Sequence, residues 1–208
     1  MVESVYHVVV ATSVDVPDTK TRVLDAALTS FGTTGYDGTS LDDLAGRLGL
    51  RKQTILYHFG SKRGLLDAVV DRSADELVGT LEAAVLTSAT GFARIESVVR
   101  SVFRLALRRP ELLGLLREVS RPGSGTAERL SQHVEPAVER AVVFLEIEMA
   151  AGRLRPTDAR LLLLSAYSTV VGTATEVEVL RAVGVEPTLR TMAMRRRELL
   201  RFLESALT

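Results

Sequence analysis

The side chains whose types and spacing could do chemistry lie in one short stretch: Arg51-Lys52-Gln53-Thr54, followed by Tyr57, His58 and Lys62. On the outer face of a helix, guanidinium, ammonium, carboxamide and hydroxyl groups can hydrogen-bond base edges in a major groove and the phosphates beside it. Covalent chemistry has little to draw on. The chain has no cysteine, which excludes disulfides, thiolate metal sites and cysteine nucleophiles. Its three histidines, His7, His58 and His133, are scattered, and neither His-Glu-x-x-His nor Gly-x-Ser-x-Gly occurs. The sequence therefore predicts no catalytic site, no metal site and no cofactor. The glycine-rich stretch Gly32 to Gly38 is no phosphate-binding loop, because it follows a helical pattern rather than a strand and lacks the Gly-Lys-Ser/Thr ending.

The elements that must position those side chains can be read from periodicity. From Thr19 onward, Leu24, Ala27, Leu28 and Phe31 recur at helical spacing, and Gly32 and Gly35 are expected to end that helix. Thr39-Ser40-Leu41-Asp42-Asp43 then offers a hydroxyl cap, with acidic residues suited to the positive end of a helix dipole. Leu41, Leu44, Ala45 and Leu48 form a second apolar stripe that stops at Gly49. A third, short helix from Lys52 would bury Ile55, Leu56 and Phe59. Ala45 allows close approach of the two helices, Gly49 permits a left-handed turn, and Ile55 packs the third helix onto the core. This arrangement turns Arg51, Lys52, Gln53 and Thr54 outward. Lys62 near a helix N-terminus opposes the dipole, a conflict that a phosphate partner would resolve.

Net charge is zero, so bulk electrostatics give no sign of a nucleic-acid partner, and a non-specific architectural DNA binder is disfavoured. The charge is nonetheless uneven. Residues 20 to 66 hold seven basic residues against four acidic ones and contain all three lysines, whereas residues 67 to 208 are balanced.

The stretch from Asp42 to Val69, and above all Thr54-Ile55-Leu56-Tyr57-His58-Phe59-Gly60-Ser61-Lys62 with Leu65-Leu66, closely resembles the TetR family of transcriptional repressors. The resemblance covers roughly residues 20 to 72. It implies an all-α fold: an N-terminal three-helix helix-turn-helix domain over residues 19 to 66, then a larger helical ligand-binding and dimerisation domain over 67 to 208, with 1 to 18 as a tail. It further implies double-stranded operator DNA as partner, with Thr39, Tyr57, His58 and Lys62 near phosphates, Arg51 to Thr54 at the bases, and Ser40 among the DNA-binding residues. Leu56 stands where many members have tyrosine, which leaves that position either an apolar contact to a thymine methyl or a core residue.

Beyond about residue 75 the chain reads as five or so helices, with breaks at Gly91, Arg109-Pro110, Arg121 to Gly125, Gly152 to Pro156 and Gly184 to Pro187. The last two, about 158 to 182 and 187 to 206, are long, and the resemblance implies a homodimer formed through them. The apolar run Leu161 to Ala174 contains Ser165, Ser168, Thr169 and Thr173 and is too short and too polar for a membrane span. With no signal-peptide pattern at the start, a cytoplasmic location is expected. The resemblance also implies a pocket for a small hydrophobic effector, with Phe103, Leu107, Leu116, Phe144, Met149 and Tyr167 as candidate walls and Arg117, Glu118, Glu148 and Thr169 as polar contacts.

Overall fold

The computed structural model describes residues 18–86, 89–119, 125–175 and 177–208. The expected tail falls outside them, apart from Asp18, whose carboxylate accepts a 2.6 Å hydrogen bond from the Thr21 amide and so caps the first helix. All regular structure among the described residues is helical: α1 (Thr19–Gly38), α2 (Leu41–Leu48), α3 (Lys52–Phe59), α4 (Lys62–Val85), α5 (Gly91–Arg108), α6 (Pro110–Val119), α7 (Ala127–Ala150), α8 (Ala159–Thr175), α9 (Val177–Ala182) and α10 (Leu189–Leu207).

Helix α1 buries Val23, Leu24, Ala27, Leu28 and Phe31 against α2, α4 and α6. Its regular stretch stops at Gly35, as the glycines suggest. Gly35 leaves helical geometry (φ 79°, ψ 168°), and a separate short helical turn follows it to Gly38, so α1 is two helical stretches joined at a kink.

The joint between α2 and α3 follows from backbone chemistry. Ser40 accepts hydrogen bonds from the amides of Asp42 and Asp43, two of the donors that a helix start leaves unpaired. At the other end Gly49 takes the left-handed conformation (φ 67°, ψ 29°). The Leu50 amide then reaches the Ala45 carbonyl at 2.9 Å and the Gly49 amide reaches that of Gly46 at 3.2 Å. This crossed pair of bonds satisfies the last carbonyls of α2 and turns the chain into α3.

The expected domain boundary at residue 66 lies inside α4, one continuous helix of 24 residues, about 36 Å long. A single apolar cluster runs from Val23 and Ile55 through Val69, Phe103 and Leu112 to Leu203, so the head and the larger helical region share a core. Helices α4 and α7 run parallel, and three polar pairs at a constant offset of 58 residues join them: Asp71 with Arg129, Asp75 with His133 and Glu82 with Arg140. The guanidinium of Arg129, donating to both oxygens of Asp71, holds that carboxyl below its usual range.

The breaks expected at Gly91, Arg109-Pro110, Gly152 to Pro156 and Gly184 to Pro187 all separate helices; residues 121–124 lie outside the described set. Helix α10 starts with a reciprocal cap between Thr188 and Thr191 and buries Leu199, Leu200, Leu203 and Leu207. No helix among the described residues is long and apolar enough to cross a membrane.

Candidate nucleic-acid interface

Helix α3 is held from one side only. Ile55 is fully buried in the same core as Leu44 and Ala45, while Leu56 and Phe59 are half-buried against that core, so Leu56 serves packing. Two turns of helix pinned by one deeply buried residue leave the remaining positions to face away. Arg51, Lys52, Gln53, Tyr57 and His58 are exposed, Tyr57 at 86% of its surface, and Thr54 is half-buried. A tyrosine so exposed leaves apolar ring area in water, which folding alone does not favour. Its ring meets that of His58 edge-on, with centroids 5.3 Å apart.

Lys52 Nζ lies 2.8 Å from the Asp42 carboxylate. Both partners are largely exposed, so the pair is screened, and exchanging it for another partner costs little. Lys62 is placed differently. Its Nζ sits 4.3 Å from the centroid of the Tyr36 ring and 3.4 Å from the Asp37 carbonyl oxygen, which fixes the ammonium beside the start of α4. Tyr36 is the positioning residue that sequence reasoning missed; its signal is an aromatic five positions after Phe31, whose ring it meets at 5.7 Å. Ser61 caps α4 through the Gly64 amide, at 2.9 Å. Arg22 and Arg47, basic residues of the same head, are turned to structural use: Arg22 donates to the Leu48 carbonyl, and Arg47 to the Ser30 hydroxyl.

Thr39 departs from expectation. It is buried, and its hydroxyl donates to the Gly35 carbonyl at 2.8 Å, closing the kinked end of α1 instead of facing solvent. Ser40 is half-buried and occupied as the cap of α2. The exposed polar face therefore consists of Arg51, Lys52, Gln53, Tyr57 and His58, with Lys62 at its edge.

The residues expected to form an effector pocket are not brought together. Phe103 is fully buried and Leu116 is buried in the general core, whereas Leu107 and Tyr167 are about half exposed. Phe144 carries the Arg94 guanidinium 4.9 Å from its ring centroid. The Thr169 hydroxyl donates to the Ser165 carbonyl within its own helix. Glu148 is buried but fully engaged, accepting from the Gly91 amide at 2.8 Å and from two nitrogens of Arg153. Those bonds, those of Arg153 above all, keep its carboxyl below the usual glutamate range. Glu118 is exposed, Met149 is half-buried on the core, and the side chain of Arg117 lies outside the described set. An interior helix face looks the same in sequence whether it borders a void or another helix. A cavity of about 500 Å³ does open between α4 and α5, lined by other residues, among them Thr80, Ser97, Arg104 and Arg108. Among the described residues no group of acidic residues and histidines is placed to hold a metal ion.

Residues 23–69 match the family model for bacterial regulatory proteins of the tetR family. Over 58 residues the chain is 40% identical to the biofilm operon icaADBC HTH-type negative transcriptional regulator IcaR of Staphylococcus aureus, covering 28% of this chain and 31% of that protein. The chain thus matches about a third of the length of this curated relative. Among solved structures, the transcriptional regulator FadR from Bacillus subtilis in complex with stearoyl-CoA superposes with a TM-score of 0.74 at 17% identity, covering 90% of this chain and 99% of that one. AibR in complex with isovaleryl coenzyme A and operator DNA gives 0.67 at 20% identity, over 76% and 86% of the two chains. At these identities the structural likeness speaks for the fold.

Proposed function

We propose that this chain, whose residues 23–69 match the tetR family of bacterial regulatory proteins, is a ligand-responsive repressor that binds a near-palindromic operator as a homodimer. The observation that carries the reading is the outer face of α3, where Arg51, Lys52, Gln53, Tyr57 and His58 stand in solvent over a buried Ile55. Arg51, Lys52 and Gln53, at the start of the helix, meet base edges; Tyr57, His58 and Lys62 meet phosphates. Two such helices in a symmetric dimer stand roughly 34–36 Å apart, one turn of DNA.

Support for the dimer comes from apolar surface left uncovered on the last helices. Leu161, Leu164 and Tyr167 of α8 and Leu189, Met194 and Phe202 of α10 are all at least half exposed in the single chain. Such a surface on a soluble chain marks an interface. The two-fold mate covers it, giving four packed helices. The effector is a small, largely apolar molecule bound in the helical region; two solved neighbours are in complex with stearoyl-CoA and isovaleryl coenzyme A, of which the acyl chain, though not the charged carrier, is of that kind. It lowers operator affinity by preferring a dimer whose heads stand at the wrong spacing.

The experiment is a pair of substitutions titrated against operator and random duplex at several salt concentrations. Lys62→Ala weakens all sequences about equally and lowers the salt slope by about one, whereas Gln53→Ala changes which bases are preferred. Equal loss of specific and non-specific binding in both variants overturns the division of labour.

A further inference from the structure

We propose that the cleft between α4 and α5 is a ligand site of its own, one that takes a small organic phosphate through Arg104 and Arg108. The cleft is about 500 Å³, within the range of sites that hold small molecules. It is kept open by short side chains on both walls: Thr80, Ala83 and Ala84 from α4 face Ser97 and Ser101 from α5. Leu105 adds apolar floor, and the polar groups are those an anion needs.

The charges lining the cleft are not balanced. Arg109 lies within 4 Å of three carboxylates, those of Asp25, Glu76 and Glu111, so it and Glu76 neutralise each other at one end. Arg100, one turn before Arg104, is paired with Glu96. Arg104 has no carboxylate partner among the described residues; it donates to the hydroxyl of Ser101, a buried residue, at 2.6 Å. Arg108 has no hydrogen-bond or ion-pair partner among the described residues. Two uncompensated guanidiniums four residues apart on one helix face repel each other and work against the helix. Arg108 alone could be explained by the negative end of the helix dipole, but Arg104 lies a turn further in, beyond that effect. A diphosphate removes the conflict. Its oxygens can be shared by two planar forks at this spacing, and guanidinium matches phosphate geometry in a way that a lone ammonium does not. The apolar floor accommodates the organic part.

The inference does not rest on the DNA-binding reading, because it concerns the opposite half of α4 and a direct binding measurement. The full-length protein is titrated calorimetrically with inorganic pyrophosphate, with ADP, and with succinate, at constant ionic strength set by sodium chloride. The expected result is saturable binding of pyrophosphate and ADP, one per protomer, with succinate at least tenfold weaker. Arg104→Gln/Arg108→Gln weakens pyrophosphate by tenfold or more, while Arg196→Gln/Arg197→Gln, on α10 away from the cleft, binds as the parent does. Should the double variant fold poorly, Arg108→Gln alone, which removes no hydrogen bond or ion pair among the described residues, is expected to lose at least threefold. A non-saturable response, tighter binding of succinate than of pyrophosphate, or unchanged affinity in the Arg108 variants would overturn the proposal.

Discussion

Gly64→Ala is expected to damage both stability and DNA binding through one backbone contact. Gly64 sits in the first turn of α4, and a Cβ built there lies 2.2 Å from the carbonyl oxygen of Phe59, the last residue of α3, where real Cβ atoms keep 3.0 Å or more. The obstacle is backbone on a two-residue turn in which Gly60 already holds φ 73°, so neither side yields by rotating a side chain. Relief needs a displacement of about an ångström between α3 and the start of α4, at an overpacking cost of about 1–3 kcal/mol. A helical alanine returns about 0.5–1 kcal/mol of backbone entropy, so the net loss is on the order of 1–2 kcal/mol. Moving α3 on its anchor loosens base contacts worth about 1–3 kcal/mol each, and at 1.4 kcal/mol per decade the operator affinity falls roughly tenfold or more. The internal control is Gly46→Ala in α2, where nothing lies within 4 Å of the new Cβ and φ is ordinary; it gains about 0.5–1 kcal/mol and leaves binding unchanged. Urea denaturation and fluorescence titration of labelled operator read both effects. If Gly64→Ala proved as stable as Gly46→Ala and bound operator within twofold of the parent, the close α3–α4 junction would not be what sets the recognition helix.

Glu148→Ala strands the Gly91 amide at the start of α5 and removes a charge-assisted hydrogen bond; solvent reaches almost none of Glu148, yet it lies at shallow depth, so the expected loss is about 1.5–3 kcal/mol in denaturant unfolding. Because its folded pKa is lowered, the stability that its charge supplies is complete above the ordinary glutamate value and is lost as pH falls through the lowered one; the gap between the parent and Glu148→Gln should therefore close on acidification, and a constant gap contradicts the assignment. Leu161→Glu/Leu164→Glu places charges on the exposed apolar face of α8 and is expected to shift sedimentation from dimer to monomer with helical content intact; an unchanged dimer would place the interface elsewhere.

What the sequence disclosed, and what it hid, divides along physical lines. The Ala45, Gly49 and Ile55 spacing was legible because each residue solves a local steric problem, and the structure places all three in the expected roles, with Gly49 left-handed and Ile55 fully buried. Gly35 was legible too, its positive φ breaking the first helix where the glycines fall; the short turn after it was not. Thr39 could have served either way: a hydroxyl at a helix end can face out or bond back to the carbonyl four residues earlier, and here it donates to Gly35. That the proposed effector residues are not gathered in one place was also hidden. Leu107 and Tyr167 look like interior residues by type, and their outward placement depends on how α5 and α8 pack in three dimensions. The α4–α7 ladder was equally hidden, since acid and base lie 58 residues apart.

The measurement that bears most directly on the central claim is selection of bound sequences from a random duplex library by the full-length protein, followed by stoichiometry on the enriched site. The account predicts an inverted repeat with half-sites about one helical turn apart, bound by two chains and contacted through α3. Failure of a folded, dimeric protein to enrich any sequence, or enrichment that survives replacement of Arg51, Lys52 and Gln53 together by alanine, would contradict it.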